Sequence, residues 1–292
     1  GIAIATAVDG KQLTAKIFGD KVLWVPWRRP GFQLGLDIAA LKDKNPQAVG
    51  VILGGHGITA WGDSSAECEK NSLWIIRTAD KYIRQHGKKN PFGKAVKARA
   101  PLPLAKRRQR AAELAPVLRG MASTDRRMVG HFTDDQAVLE FLQSEKLMPL
   151  AKLGTSCPDH FLRTKIRPMV LDVAPDAPVE QVEKRARQLH ERYRADYSRY
   201  YNAHANAESP AMRGADPMIV LVPGIGMFSY GPGKKTARVA SEFYINAINV
   251  MRGAEALSRY KPISEREKFR IEYWALEEAK LQRLPKPRSH AT

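Results

Sequence analysis

The sequence predicts an α/β protein made of two related layered units, and three observations predict it. Signals for short apolar strands alternate with amphipathic helical periods along most of the chain. The apolar run Val51-Ile52-Leu53 ends in Gly54-Gly55-His56-Gly57, a turn that places an imidazole at a strand end. A shift of 169 residues then lays Val51-Ile52-Leu53-Gly54-Gly55-His56-Gly57 over Val220-Leu221-Val222-Pro223-Gly224-Ile225-Gly226, and the correspondence continues to Trp61-Gly62 and Tyr230-Gly231.

Taken in order, residues 1–8 are apolar enough for a strand and Asp9-Gly10 for a turn. Trp24 to Trp27 is a short extended piece bounded by Pro26 and Pro30. Phe32 to Lys44 has helical periodicity and stops at Asn45-Pro46. Val49 to Leu53 is a buried strand. Ser64-Ser65-Ala66-Glu67 is a capping box, and the helix behind it runs to Gly87. Residues 88–130 form a basic connecting segment with a helix from Leu104 to Arg119. Thr133-Asp134-Asp135-Gln136 caps a short helix through Leu142. Residues 166–173 are a strand, and a long helix follows Asp176-Ala177-Pro178 with Val182, Ala186, Leu189, Tyr193 and Tyr197 in register. Ile219 to Val222 is a second buried strand, followed by a helix over 235–256. Ser264-Glu265-Arg266-Glu267 caps a last helix that stops before Pro285. The expected domains are therefore 1–87, a connection over 88–130, a second unit over 131–284 and a linker tail over 285–292.

Composition narrows the function classes. With 43% hydrophobic residues in 292, the chain can build a core and is not disordered. No apolar run reaches the roughly 18 residues of a membrane span, so a soluble, cytoplasmic protein is expected. Cys68 and Cys157 form no framework of bridges, which fits a reducing compartment. The net charge is +18, and the stretch from Arg84 to Met128 holds thirteen Lys and Arg against Glu113 and Asp125. Such a patch suits an anionic ligand, an acidic partner or nucleic acid. Phe92 is its single aromatic residue, so it offers no stacking platform, and nucleic acid is disfavoured.

His56 is the leading candidate metal ligand, because a neutral imidazole between glycines suits zinc; the alternative is a histidine satisfied in a strand-to-helix turn. Ile225 stands at the matching place in the second unit and cannot ligate a metal. His160, beside Asp159, is a candidate ligand-contacting residue, with Gly55 and Gly57 beside His56. A Cys157/His160 nucleophilic pair is a weaker alternative. Gly224 and Gly226 are placed at a helix start, where an anion could sit. His131 is expected in local structure before a cap, and His190 and His204 on a solvated helix face. Trp61 and Tyr230 are expected to serve packing, and Asp63 to precede the helix cap.

The segment Gly54-Gly55-His56-Gly57 through Trp61-Gly62-Asp63 resembles the third-histidine motif of class II sugar-phosphate aldolases, of the aldolase/adducin-type fold. Leu153-Gly154-Thr155-Ser156-Cys157-Pro158-Asp159-His160, Arg163-Thr164-Lys165, Tyr244-Ile245-Asn246-Ala247 and Glu272-Tyr273-Trp274-Ala275 extend the resemblance to the bifunctional rhamnulose-1-phosphate aldolase/alcohol dehydrogenases. The fold so implied is an incomplete class II aldolase-like α/β/α unit followed by a degenerate aldolase-like unit with long helices. The activity implied is zinc-dependent retro-aldol cleavage of rhamnulose 1-phosphate to dihydroxyacetone phosphate and lactaldehyde. The resemblance also implies a His-x-His pair and a short-chain dehydrogenase domain, neither of which occurs here. The chain is thus expected to be the middle of a larger protein, and its activity to be impaired. Its partners would be a sugar phosphate and further copies of itself or a second chain. The alternative is a non-catalytic module that oligomerises or assists a partner. The nine tyrosines leave the proton donor undetermined.

Overall fold

A computed structural model describes residues 1–283. The expected linker tail over 285–292 lies outside the described residues. The chain forms two compact units, one of Gly1–Phe92 with Asn249–Ile263, the other of Gly93–Ile248 with the residues from Ser264 onward. The expected connection over 88–130 is therefore shared out, and most of it builds the second unit. Segment 249–263 joins the first unit through backbone bonds: Val8 N–H donates to Arg259 O (3.0 Å), Lys261 N–H to Thr6 O (2.7 Å) and Lys88 N–H to Ala256 O (2.9 Å).

The first unit contains helices α1 (Ile2–Ala5), α2 (Gly10–Phe18), α3 (Phe32–Lys44) and α4 (Ser65–His86) and strands β1 (Val22–Val25), β2 (Gly50–Leu53) and β3 (Gly57–Ala60). Its sheet has the order β1-β2-β3, with β1 parallel and β3 antiparallel to β2. Side chains alternate across β2 as a pleat requires. Ile52 joins Ile4, Leu13, Phe18, Val22 and Ile75 on one face, while Val51 and Leu53 join Leu34 of α3 on the other. Helices on both faces give the α/β/α layering that the sequence predicts. The expected strand over residues 1–8 is instead α1 plus a bridge from Ala7 to Tyr260. A continuously apolar run of that length has no period with which to separate a buried strand from a buried helical turn. The capping box at Ser64 is present: its Oγ accepts from Glu67 N–H (3.2 Å), and Glu67 accepts from Asp63 N–H (2.8 Å).

The second unit contains helices α5 (Leu104–Met121), α6 (Gln136–Gln143), α7 (Leu147–Leu153), α8 (Phe161–Thr164) and α9 (Val179–His204). Its strands are β4 (Val129–Thr133), β5 (Met169–Val170), β6 (Ile219–Val222) and β7 (Gly226–Gly231). The sheet order is β4-β7-β6-β5, with β5 parallel to β6 and the other pairs antiparallel. Val220, Val222, Phe228 and Tyr230 pack on Leu114 and Leu118 of α5 and on Val182 and Ala186 of α9. Helix α10 (Lys234–Leu257) follows β7, and Ser229 Oγ reaches Ala237 O at 2.8 Å. The expected last helix is two, α11 (Glu265–Glu272) and α12 (Ala275–Arg283), and the short helix over 136–143 is capped by Asp135 rather than Thr133.

The 169-residue repeat is a repeat of geometry. In both units a parallel strand pair leads into a hairpin, Leu53 opposite Gly57 in one and Val222 opposite Gly226 in the other. The central turn residue is a left-handed glycine in both, Gly55 at φ +70° and Gly224 at φ +74°. The closing glycines match too. A Cβ on Gly62 would meet Cys68 N at 2.7 Å, and one on Gly231 would meet Ala237 N at 2.6 Å, the same point of the following helix. No helix of the described residues is long and apolar enough to cross a membrane.

Candidate functional site

His56 lies in the turn of the β2–β3 hairpin, not in a strand-to-helix turn, and is half-buried. The backbone around it is pinned from three directions. His56 N–H donates to Leu53 O (3.0 Å), Gly54 N–H to Val25 O (2.8 Å) and Gly55 N–H to Ala5 O (2.7 Å). Glycine is required at 54 and 55, since a Cβ at 54 would lie 2.8 Å from the Trp24 ring and one at 55 would lie 2.4 Å from Ile263 Cγ2. The turn therefore holds the imidazole in a defined place. Gly224 and Gly226 occupy the equivalent hairpin and lead into β7, so the expectation that they open a helix and receive an anion is corrected.

His160 is 2% exposed and engaged at both ring nitrogens. Thr155 Oγ1 lies 2.5 Å from Nδ1, and Asn246 Nδ2 lies 3.3 Å from Nε2. Burial pushes its pKa down to about 4. Cys157 is buried, and its thiol is pushed up to about 12 by the same desolvation, with Asp159 adding to it. A thiol of that kind is a poor nucleophile, which removes the basis for a Cys157/His160 pair. Alkylation at pH 8 is expected to leave Cys157 unmodified in folded protein and to label it in urea, as peptide mass mapping would report; labelling at equal rates in both conditions would refute this burial.

His190, expected on a solvated face, is instead buried, with Nε2 3.0 Å from Asp216 Oδ1. It belongs to a dense polar group that sequence reasoning did not assemble. Asp216 also accepts from Thr124 N–H (2.8 Å), Thr124 Oγ1 (2.7 Å) and Arg194. Burial raises the Asp216 pKa, but the hydrogen bonds from His190, Thr124 and Arg194 outweigh it and hold the carboxyl well below its usual range. Asp125 is lowered first by its hydrogen bond from Arg194. The spacing of His190, four residues after Ala186 and seven before Tyr197, was the available signal, because both neighbours lie on the buried face of α9.

This group walls a pocket lined by Asp125, Arg126, Lys165, Tyr197, Arg213 and Glu272, with Met128, Phe161 and Met218 among its apolar surfaces. Lys165 is 8% exposed and stands at φ +55°, unusual outside glycine. Its Nζ donates to Gly214 O at 2.7 Å and lies 3.8 Å from the centre of the Tyr197 ring, a cation–π contact. Burial lowers its pKa to about 8. Glu272 is buried and its pKa raised by desolvation, with Tyr197 Oη donating to it at 2.5 Å and Tyr200 Oη at 3.1 Å. Several cations of the basic segment are tied into the second unit: Arg107 to Asp134 (3.0 Å), Arg110 to Glu113 (2.8 Å) and Arg119 to Met128 O (2.9 Å). In the sequence this run of Lys and Arg reads as a connecting segment; in the fold, part of it holds helices to loops.

Residues 2–83 match the class II aldolase and adducin N-terminal domain, and residues 109–281 match the family described as aldolase class II, second domain. The chain belongs to the class II aldolase family. It is similar to a Bacillus subtilis (strain 168) protein named uncharacterized oxidoreductase YuxG, with 35% identity over 288 residues. That alignment takes in 97% of this chain and 41% of YuxG, so the chain spans well under half the length of this relative. No solved structure matches this chain. Among the described residues no three His, Cys, Asp or Glu side chains gather as a group able to hold a metal. His56 provides a single imidazole, so the described residues alone do not fit the three-ligand zinc that the family resemblance implies.

Proposed function

We propose that this chain is the aldolase portion of a larger protein and serves retro-aldol cleavage of a ketose 1-phosphate, with rhamnulose 1-phosphate as substrate and dihydroxyacetone phosphate and lactaldehyde as products. The observation that carries this reading is His56, held at the tip of a hairpin pinned by three backbone bonds inside the class II aldolase domain match. Retro-aldol cleavage breaks the bond next to a carbonyl and leaves an enediolate, so a site must hold the substrate oxygens rigidly and deliver a proton to the departing alkoxide. The hairpin contributes a positioned imidazole to such a site. In this reading the other metal ligands come from outside the described residues, from the rest of the protein, another copy or a partner chain.

The test is zinc per chain, by mass spectrometry on the metal-reconstituted full-length protein, together with release of dihydroxyacetone phosphate. His56→Ala is expected to lower both zinc retention and kcat at least about 100-fold, because removing a ligand should cost at least as much as removing one of its supports. Circular dichroism should be unchanged. A variant that keeps its zinc and its rate would sink the proposal.

A further inference from the structure

We infer that the pocket around Lys165 in the second unit is a binding site for a compact oxyanion, the phosphate of a phosphate monoester or a carboxylate. The argument is a matching of donors against acceptors. The three acids that line the pocket are already satisfied by their own neighbours. Asp216 accepts from His190, Thr124 and Arg194, and Asp125 accepts from Arg194 and from Ala215 N–H at 2.9 Å. Glu272 accepts from Tyr197 and Tyr200. Arg213 is engaged as well, with Glu278 Oε2 at 2.6 Å and the Glu272 carbonyl, and it lies over the Tyr273 ring.

Two lining groups keep donors in hand. Lys165 gives one N–H to Gly214 O, which leaves two of the three that an ammonium carries. Arg126 is exposed at the pocket and makes no hydrogen bond or ion pair among the described residues, so its whole guanidinium fork is available. A pocket whose three acids are each hydrogen-bonded at both oxygens, while two cations keep donors in hand, is complementary to a group that only accepts. Phosphate and carboxylate are such groups, and a guanidinium fork meets either with two parallel bonds. The apolar wall of Met128, Phe161 and Met218 limits the ligand to a small body behind its anionic head.

The experiment is isothermal titration of the protein with inorganic phosphate, and separately with lactate, at fixed ionic strength and with chelator present. Chelation removes any metal-borne binding, so failure here and failure of the aldolase reading are distinguishable. Saturable binding of at least one anion is expected, and which arm responds separates phosphate from carboxylate. Arg126→Ala, at an exposed position that leaves folding intact, is expected to weaken binding about tenfold or more, as loss of a charge-assisted pair does. Lys165→Met should weaken it further. Arg108→Ala, an exposed arginine of α5 outside the pocket, should leave binding within twofold of the unaltered chain. No saturable heat from either anion, or an Arg126→Ala chain that binds like the original, or an equal loss from Arg108→Ala, overturns the inference.

Discussion

Replacing Gly154 by alanine is expected to lower the stability of the second unit by about 3–5 kcal/mol, a large part of the roughly 5–15 kcal/mol that holds a typical domain. Gly154 closes α7 at φ +72° and ψ −169°, with its N–H donating to Leu150 O at 3.0 Å. A Cβ there would fall 1.8 Å from the carbonyl oxygen of Ile166, which is backbone and cannot swing aside. That same oxygen accepts from Thr155 N–H at 3.2 Å. The cost combines about 1–3 kcal/mol for alanine in a backbone region essentially confined to glycine, about 1–3 kcal/mol for overpacking and about 0.5–1.5 kcal/mol for the displaced hydrogen bond. Urea unfolding at neutral pH measures it. The control is Gly120→Ala in α5, where nothing lies within 4 Å of the added atom, and a stability gain of up to about 1 kcal/mol is expected. A Gly154→Ala chain within about 1 kcal/mol of the original would contradict the geometry.

Acidification from pH 6.5 to 4 is expected to destabilise the same unit through His160. Its folded pKa is lowered to about 4 by burial, against 6.5 in the open chain. Between those values the unfolded chain binds a proton that the folded chain refuses, so stability rises with pH across the window and is lost as pH falls through it. A shift of this size corresponds to up to about 3 kcal/mol. Asn246 donating to Nε2 and Nδ1–H donating to Thr155 describe a neutral ring with both ends satisfied, which is why protonation is resisted. Glu272 acts in the opposite sense, since its raised pKa makes rising pH above 4.5 unfavourable to the folded state. The informative quantity is therefore the difference between urea midpoints of the original and His160→Gln chains at each pH. That difference should shrink steadily from pH 6.5 to 4, and a difference independent of pH would show that His160 does not carry the acid sensitivity.

Much of the first unit was legible because its signals are local. The capping box at Ser64, the helix over 32–44 and the buried strand ending at Leu53 depend on neighbours a few residues away. The repeat was also legible, and its glycines prove to share a turn conformation. Three things escaped. The strands β3 and β7 follow a glycine turn directly, so each hairpin reads in sequence as a strand running straight into a helix. The opening residues lacked any period. His190 carried a polar side chain beside a face read as core at Val182, Ala186, Leu189, Tyr193 and Tyr197, and its partner Asp216 lies 26 residues away.

By itself, the sequence determined the lineage, the α/β layering and the position of most helices. The lineage follows from the motifs that resemble the family, and the layering and helices from periodicity, caps and glycine turns, which are properties of adjacent residues. Only the tertiary structure decided that Lys165, Arg126, Asp125, Asp216, Tyr197 and Glu272 line one pocket, and that His160 and Cys157 are sealed away from solvent. The pocket is drawn from residues up to 150 positions apart, between Ala122 and Glu272. Its electrostatics arise from burial and from partners supplied by other elements. Neither desolvation nor the assignment of each donor to its acceptor is encoded in any local window of the chain.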